Sequence, residues 1–126
     1  MTANYEFPCS PSENQYRVFP DHLENDESIF FHGTSEQNAC SILSGGFQIN
    51  GTLSSVSFST NSSLALGYAC TKRLEQGGRG AVLAVRFRNT SPPEIATEPF
   101  GIHVYDLNIE HKIEGICWVP DDYQHT

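Results

Sequence analysis

The sequence predicts an α+β fold. Two helical segments lie among at least five strand-like segments, without the regular alternation of strand and helix that a doubly wound sheet requires. With 126 residues, of which 38% are hydrophobic, the chain can bury one core but is too short for two ordinary domains. We therefore expect an irregular, proline-containing and acidic arm over residues 1–27, packed on a single domain over residues 28–126.

The first strand and helix surround a His-Gly-Thr tripeptide. An apolar run over residues 28–31 predicts the strand, which ends where the tripeptide begins. Thr34, followed three residues later by Gln37, fits a capping box, and Gly45-Gly46 supplies the end of the helix. The histidine is therefore expected between a strand end and a helix N-terminus.

A second strand and helix follow the same order. Residues 55–59 alternate apolar residues with serine, as a half-buried strand does, and Thr60 or Asn61 can cap the next helix. That helix ends at Gly77-Gly78. The residues that recur on one face at helical spacing are Leu64, Ala65, Tyr68, Ala69 and Lys72.

Three further strands are predicted, over residues 81–87, 102–107 and 113–119. Strict alternation along the last of them predicts two faces. One face carries Glu114, Ile116 and Trp118, and the other carries Ile113, Cys117 and Val119.

Composition excludes several functional classes. A net charge of −8 argues against tight duplex binding, which needs Lys and Arg to neutralise phosphates. The four cysteines form no C-x-x-C pair, so no zinc site is expected; reduced thiols are the default, with two bridges left open. No leader peptide and no run of about 18 apolar residues is visible. We expect a chain without a membrane segment, cytoplasmic or delivered into a host cell.

Two segments resemble motifs of the ADP-ribosyltransferase superfamily, and more closely its poly(ADP-ribose) polymerase-like branch. The first is the His-Gly-Thr tripeptide before a short helix. The second is Val-Ser-Phe-Ser-Thr over residues 56–60, where the branch has a tyrosine followed eleven residues later by another; Ser57 and Tyr68 occupy these two places. The Phe-Ser-Thr of this segment is also similar to a Ser-Thr-Ser strand of the toxin-like branch. The resemblance spans about residues 29–70.

The resemblance implies a split β-sheet sandwich with short flanking helices and NAD as co-substrate. His32 would bond the adenosine-side ribose, Gly33 would pair its backbone with the nicotinamide carboxamide, and Tyr68 would stack on the nicotinamide ring. The remaining residues carried over to the NAD site are Thr34, Ser57, Phe58 and Ser59.

Nicotinamide leaves as a neutral group, so the energy barrier lies in forming an oxocarbenium-like ribose. A carboxylate near the ribose 2′-hydroxyl would stabilise that positive charge and would complete such a site. Glu114 is the predicted catalytic carboxylate beside His32, since it lies on the last strand as the superfamily's glutamate does. Glu98 and Glu110 are poorer candidates, in loop-like surroundings. His103 and His111 have no third ligand at metal spacing, so we expect structural roles for them.

The sequence therefore predicts an NAD-dependent mono-ADP-ribosyltransferase that acts, as a monomer, on a macromolecular acceptor, protein rather than nucleic acid. Water as the acceptor would give an NAD glycohydrolase. An RNA 2′-phosphotransferase is disfavoured because the chain has few basic residues. Ser57 and Ala65 replace a tyrosine and a serine of the nicotinamide slot, which leaves open a non-catalytic module that binds NAD, ADP-ribose or a protein. A small acidic interaction protein without a nucleotide site is the remaining class.

Overall fold

The computed structural model describes residues 2–47, 56–87, 95–98, 101–104 and 111–123. A 3₁₀ helix over Pro11–Asn14 accompanies three α-helices: α1 (Asp21–Glu24), α2 (Glu36–Gly45) and α3 (Ser62–Gln76). The strands are β1 (Ala3–Tyr5), β2 (Ile29–Ser35), β3 (Val56–Phe58), β4 (Gly80–Phe87), β5 (Ile95–Glu98), β6 (Gly101–Val104) and β7 (His111–Val119). No helix within these ranges is both long and apolar enough to cross a membrane.

Two sheets form the β-structure, and the predicted α+β class is confirmed. The larger sheet has the order β1-β7-β4-β2, in which only β1 and β7 are parallel, and the smaller has the antiparallel order β3-β6-β5. Within the described ranges one bridge joins them: the Phe31 N–H donates to the Ser59 carbonyl, and the Ser59 N–H donates to the Phe31 carbonyl, each at 2.7 Å. The outer edge of β2 therefore meets the second sheet at one residue pair.

The larger sheet is covered on both faces. One face, which we call the α3 face, packs against helix α3 through Phe31, Val82, Ala84, Cys117 and Val119. The opposite face, the α2 face, packs against Ala39 of α2 and against Phe47 and Phe58. Its buried residues are Phe30, Leu83, Val85, Phe87 and Ile116. Because β4 is buried on both faces, its eight residues read as an almost continuous apolar run.

The first strand is longer than predicted. It continues through the His-Gly-Thr tripeptide to Ser35, because all seven of its residues pair with β4. The capping-box prediction for Thr34 is wrong by one residue, since the Ser35 hydroxyl caps α2 by accepting from the Asn38 N–H at 3.2 Å. Thr34 instead belongs to the strand and is buried.

The ends of the helices agree better with the sequence. Asn61 caps α3 and accepts from the Ser63 N–H at 2.8 Å. Both long helices end on the expected glycines, with Gly46 at φ 83° and Gly77 at φ 79°. These positive φ values suit glycine, which has no Cβ to oppose them.

The segment expected to be an irregular arm is partly regular. Its first residues form β1, which pairs with β7, and Val18, Phe19 and Leu23 belong to the core on the α3 face. The Glu24 carboxylate accepts from the hydroxyl of Ser62, which is fully buried, at 2.5 and 2.7 Å. Burial raises the pKa of the Glu24 carboxyl, and the Ser62 hydrogen bond opposes that shift.

Candidate functional site

The histidine of the tripeptide lies inside β2 and faces the α2 side of the sheet. His32 is half-buried and is paired in register with Leu83. Its ring centroid lies 5.3 Å from that of Phe47 and 5.5 Å from that of Phe58. An aromatic cluster therefore fixes the imidazole close to the outer edge of β2.

The glycine that follows has its missing side chain on the opposite face. A Cβ added to Gly33 would lie 1.8 Å from the carbonyl oxygen of Ala65 and 2.9 Å from the amide nitrogen of Ala69, so α3 packs directly on the backbone of β2. Glycine is therefore required here by helix packing, whether or not a ligand binds.

The backbone polar groups of Gly33 point to the outer edge of the sheet. Along a strand of an antiparallel pair, successive residues direct their N–H and C=O groups alternately toward the partner strand and away from it. The backbone groups of residues two apart therefore point the same way. Phe31 bonds outward to Ser59, and Gly33 is therefore directed to the same side, one step beyond the bridge. A donor and an acceptor are presented there side by side.

The second motif contributes mainly core and bridge residues. Phe58 is 2% exposed and belongs to the aromatic cluster, and Ser59, also buried, makes the bridge to β2. The backbone of Ser57 pairs with His103 of β6. This motif therefore shapes the junction between the two sheets.

Tyr68 lies on the exposed side of α3, which corrects the predicted helical face. Ala65 and Ala69 are buried as expected, but the buried arc continues in the other direction, through Ser62, Leu66, Cys70 and Arg73. Leu64 and Tyr68 are 54% and 53% exposed. Because Ala65 and Ala69 cover the edge strand, the arc that carries Tyr68 overhangs the outer edge of β2.

Glu114 lies on the other face of the sheet from His32. A β-bulge interrupts the pairing of β4 with β7, where Ala84 pairs with Gly115 and Val85 pairs with Ile113. Glu114 is the extra residue, and a bulge redirects a side chain in this way. The predicted faces of this strand are therefore wrong at its start: Ile113, not Glu114, joins Ile116 and Trp118.

The carboxylate of Glu114 is occupied by an ion pair. It accepts from Arg86 Nε at 3.1 Å, while Arg86 Nη1 donates to Asp26 at 2.7 Å and to the Ser28 hydroxyl at 2.8 Å. Hydrogen bonds from Ser28 and then Arg86 lower the pKa of Asp26 to about 2. The same carboxylates raise the pKa of Arg86. This charged cluster ties β4 and β7 to the segment before β2.

The predicted site residues are thus brought together only in part. His32, Gly33, Phe58 and Ser59 meet at the junction of the sheets, with Tyr68 on the helix above it, whereas Glu114 is separated from β2 by β4, about two strand spacings or 10 Å. Glu110 lies outside the described residues.

Glu98 has a different setting from the predicted loop. It ends β5 and is paired in register with Gly101 of β6, the strand that runs beside β3. Since Phe58 pairs with Ile102, the register brings the backbone of Gly101 to the level of Ser59. No turn or periodicity signal in the sequence identifies β5, so the sequence alone favours Glu114 over Glu98.

All four cysteines are free thiols, Cys9 and Cys40 exposed and Cys70 and Cys117 buried. Among the described residues, no group of three or more His, Cys, Asp or Glu side chains could hold a metal ion. Comparison with protein-family models, curated proteins and solved structures finds no match for this chain.

Proposed function

We propose that this protein binds NAD at the outer edge of β2 and transfers ADP-ribose to a macromolecular acceptor, with release of nicotinamide. The observation that carries the proposal is the outward-pointing backbone of Gly33 beside the Phe31–Ser59 bridge. A primary carboxamide offers one N–H donor and one carbonyl acceptor in a plane, which complements the C=O and N–H of an extended residue.

The surroundings of that edge suit the rest of the nicotinamide riboside. Tyr68 on the overhanging arc of α3 supplies an exposed aromatic ring. We propose that His32, which the sequence resemblance assigns to the adenosine-side ribose, instead supplies an imidazole beside the nicotinamide riboside, on the other face of the strand from Tyr68. Ring stacking of this kind contributes about 0.5–1.5 kcal/mol beyond the burial of area.

The proposed site needs a carboxylate near the ribose, and Glu114 is paired with Arg86 away from the edge. We propose Glu98, rather than the ion-paired Glu114, as the residue that stabilises the developing oxocarbenium ion, because the backbone of Glu98 lies level with Ser59 in the smaller sheet, with β6 between β5 and β3. A binding module without catalysis is the second candidate, and the Arg86–Glu114 pair is the observation that favours it.

The experiment measures free nicotinamide after incubation with NAD, for wild type and the variants His32→Ala, Glu98→Gln and Glu114→Gln. We expect release from wild type, a loss of about 10²–10³-fold in Glu98→Gln, as for removal of a transition-state stabilising group, and little change in Glu114→Gln. Glu13→Gln, at an exposed position of the 3₁₀ helix, is the matched control for loss of one surface carboxylate.

Each outcome separates the candidates. Loss of release in Glu114→Gln but not in Glu98→Gln would restore the sequence prediction and refute the role of Glu98. Calorimetric binding of NAD without release supports the binding module, and the absence of both contradicts the proposal. Radiolabelled NAD added with a cell extract then separates transfer, in which label enters macromolecules, from hydrolysis.

A further inference from the structure

Three exposed side chains follow one another along α3 on the side of Tyr68. They are Leu64, Tyr68 and Lys72, spaced by four residues and so by about 6 Å each along the helix. Leu64 and Tyr68 are slightly more than half exposed, and the Lys72 side chain is 49% exposed. We call this set the outer flank of α3; it is apolar at its first residue, aromatic in the middle and cationic at its last.

The direction of this flank relative to β2 follows from two glycines. A Cβ added to Gly33 would lie between Ala65 and Ala69 of α3, and a Cβ added to Gly80 would lie against Ala69. Gly80 pairs with Ser35, so α3 advances in the same direction as β2. Lys72 therefore lies about one helical turn beyond the level of Gly33, on the overhanging side.

Lys72 differs from neighbouring cations in what it already binds. Arg73 is 9% exposed and donates to the carbonyls of Pro120 and Tyr123. Arg79 donates to Glu36 at 2.8 Å and lies 4.3 Å from the centre of the Trp118 ring. Lys72 forms an ion pair with Glu75 at 3.4 Å, with both groups exposed, and such a pair has little energetic value.

We infer that Lys72 binds the diphosphate of the dinucleotide, with nicotinamide toward Leu64 and Tyr68 and the adenosine toward the end of β2. This inference rests on the proposed NAD site and adds to it a residue and a direction of binding. Charge complementarity supports it: on a chain of net charge −8, a dianionic diphosphate requires a local cation, and Lys72 is the cation on the flank that overhangs the Gly33 edge.

The test compares three ligands by calorimetry: NAD, ADP-ribose and nicotinamide riboside, which lacks the diphosphate. Lys72→Gln should weaken NAD and ADP-ribose about three- to fivefold, the effect of one exposed charge pair, and leave nicotinamide riboside unchanged. Lys72→Arg, which keeps the charge, should restore most of the affinity. Lys112→Gln removes an exposed lysine of β7 and is the matched control.

The inference is overturned if Lys72→Gln binds NAD as Lys112→Gln does, or if it weakens nicotinamide riboside as much as NAD. In both cases wild type still binds NAD, so the proposed site survives. If wild type binds none of the three ligands, the proposed function fails and the role of Lys72 fails with it.

Discussion

Replacing Gly33 by alanine tests the contact that places α3 on β2. The added Cβ would lie 1.8 Å from the Ala65 carbonyl oxygen and 2.9 Å from the Ala69 amide nitrogen. Both are backbone atoms inside a helix, so neither can rotate away as a flexible side chain could. The helix or the strand must move instead.

The size of the movement sets the expected loss of stability. Ordinary contact begins at 3.4 Å, so the backbones must separate by about 1.6 Å at this point. Overpacking of a close-packed core costs about 1–3 kcal/mol, and the loss of unfolded-state entropy on replacing glycine recovers about 0.4–1 kcal/mol. We expect a net decrease of about 1–2 kcal/mol in the free energy of unfolding, which a typical domain survives.

Urea unfolding followed by the fluorescence of the single tryptophan measures this loss as a lower midpoint at unchanged slope. Gly45→Ala is the control, because a Cβ at Gly45 would meet no atom within 4 Å and alanine favours a helix. If Gly33→Ala is as stable as Gly45→Ala, the close contact between α3 and β2 is not present.

Two further predictions concern charge and thiols. Asp26→Asn should be less stable than wild type at neutral pH, and the difference in stability should close as the pH falls from about 4 to about 2. The reason is that Ser28 and Arg86 lower the pKa of Asp26 from 3.8 to about 2 in the folded protein. The stabilisation is therefore fully present above the pKa of the unfolded chain and is lost as the pH falls through the pKa of the folded protein. Urea unfolding at several pH values checks this, and a difference independent of pH contradicts it. Two thiols should react with Ellman's reagent in the native protein and four in denaturant, because two are buried and burial raises the pKa of Cys117 to about 12. Four reactive thiols in the native protein would contradict the burial.

Much of the local structure could be predicted from the sequence. The glycines at 46 and 77 and the cap at Asn61 act within one turn of a helix, so a short window contains the whole signal. Residues 81–87 form most of β4, since a strand buried on both faces needs apolar residues throughout.

The position of Glu114 could not be predicted, because it depends on a partner strand. A bulge adds one residue to a strand. Side chains beyond the bulge therefore lie on the opposite face from the one that strict alternation predicts. The bulge lies next to Gly115, where a Cβ would be 2.5 Å from the ring of Tyr5. The packing of β1, far away in the sequence, therefore bears on which way the glutamate points.

The exposure of Tyr68 has a similar origin. The sequence of α3 is compatible with two overlapping buried arcs, both of which include Ala65 and Ala69. The close approach to Gly33 and Gly80 selects one of them and leaves Leu64 and Tyr68 outside. That choice is made by tertiary contact, which helical periodicity alone does not contain.

The most direct measurement is a titration of ¹⁵N-labelled protein with NAD, followed by the amide resonances. Binding at the outer edge of β2 should shift the Gly33 and Tyr68 amides saturably and leave Arg86 and Glu114 unmoved. Shifts confined to Arg86 and Glu114, or no saturable shift anywhere, would contradict a dinucleotide site at this edge.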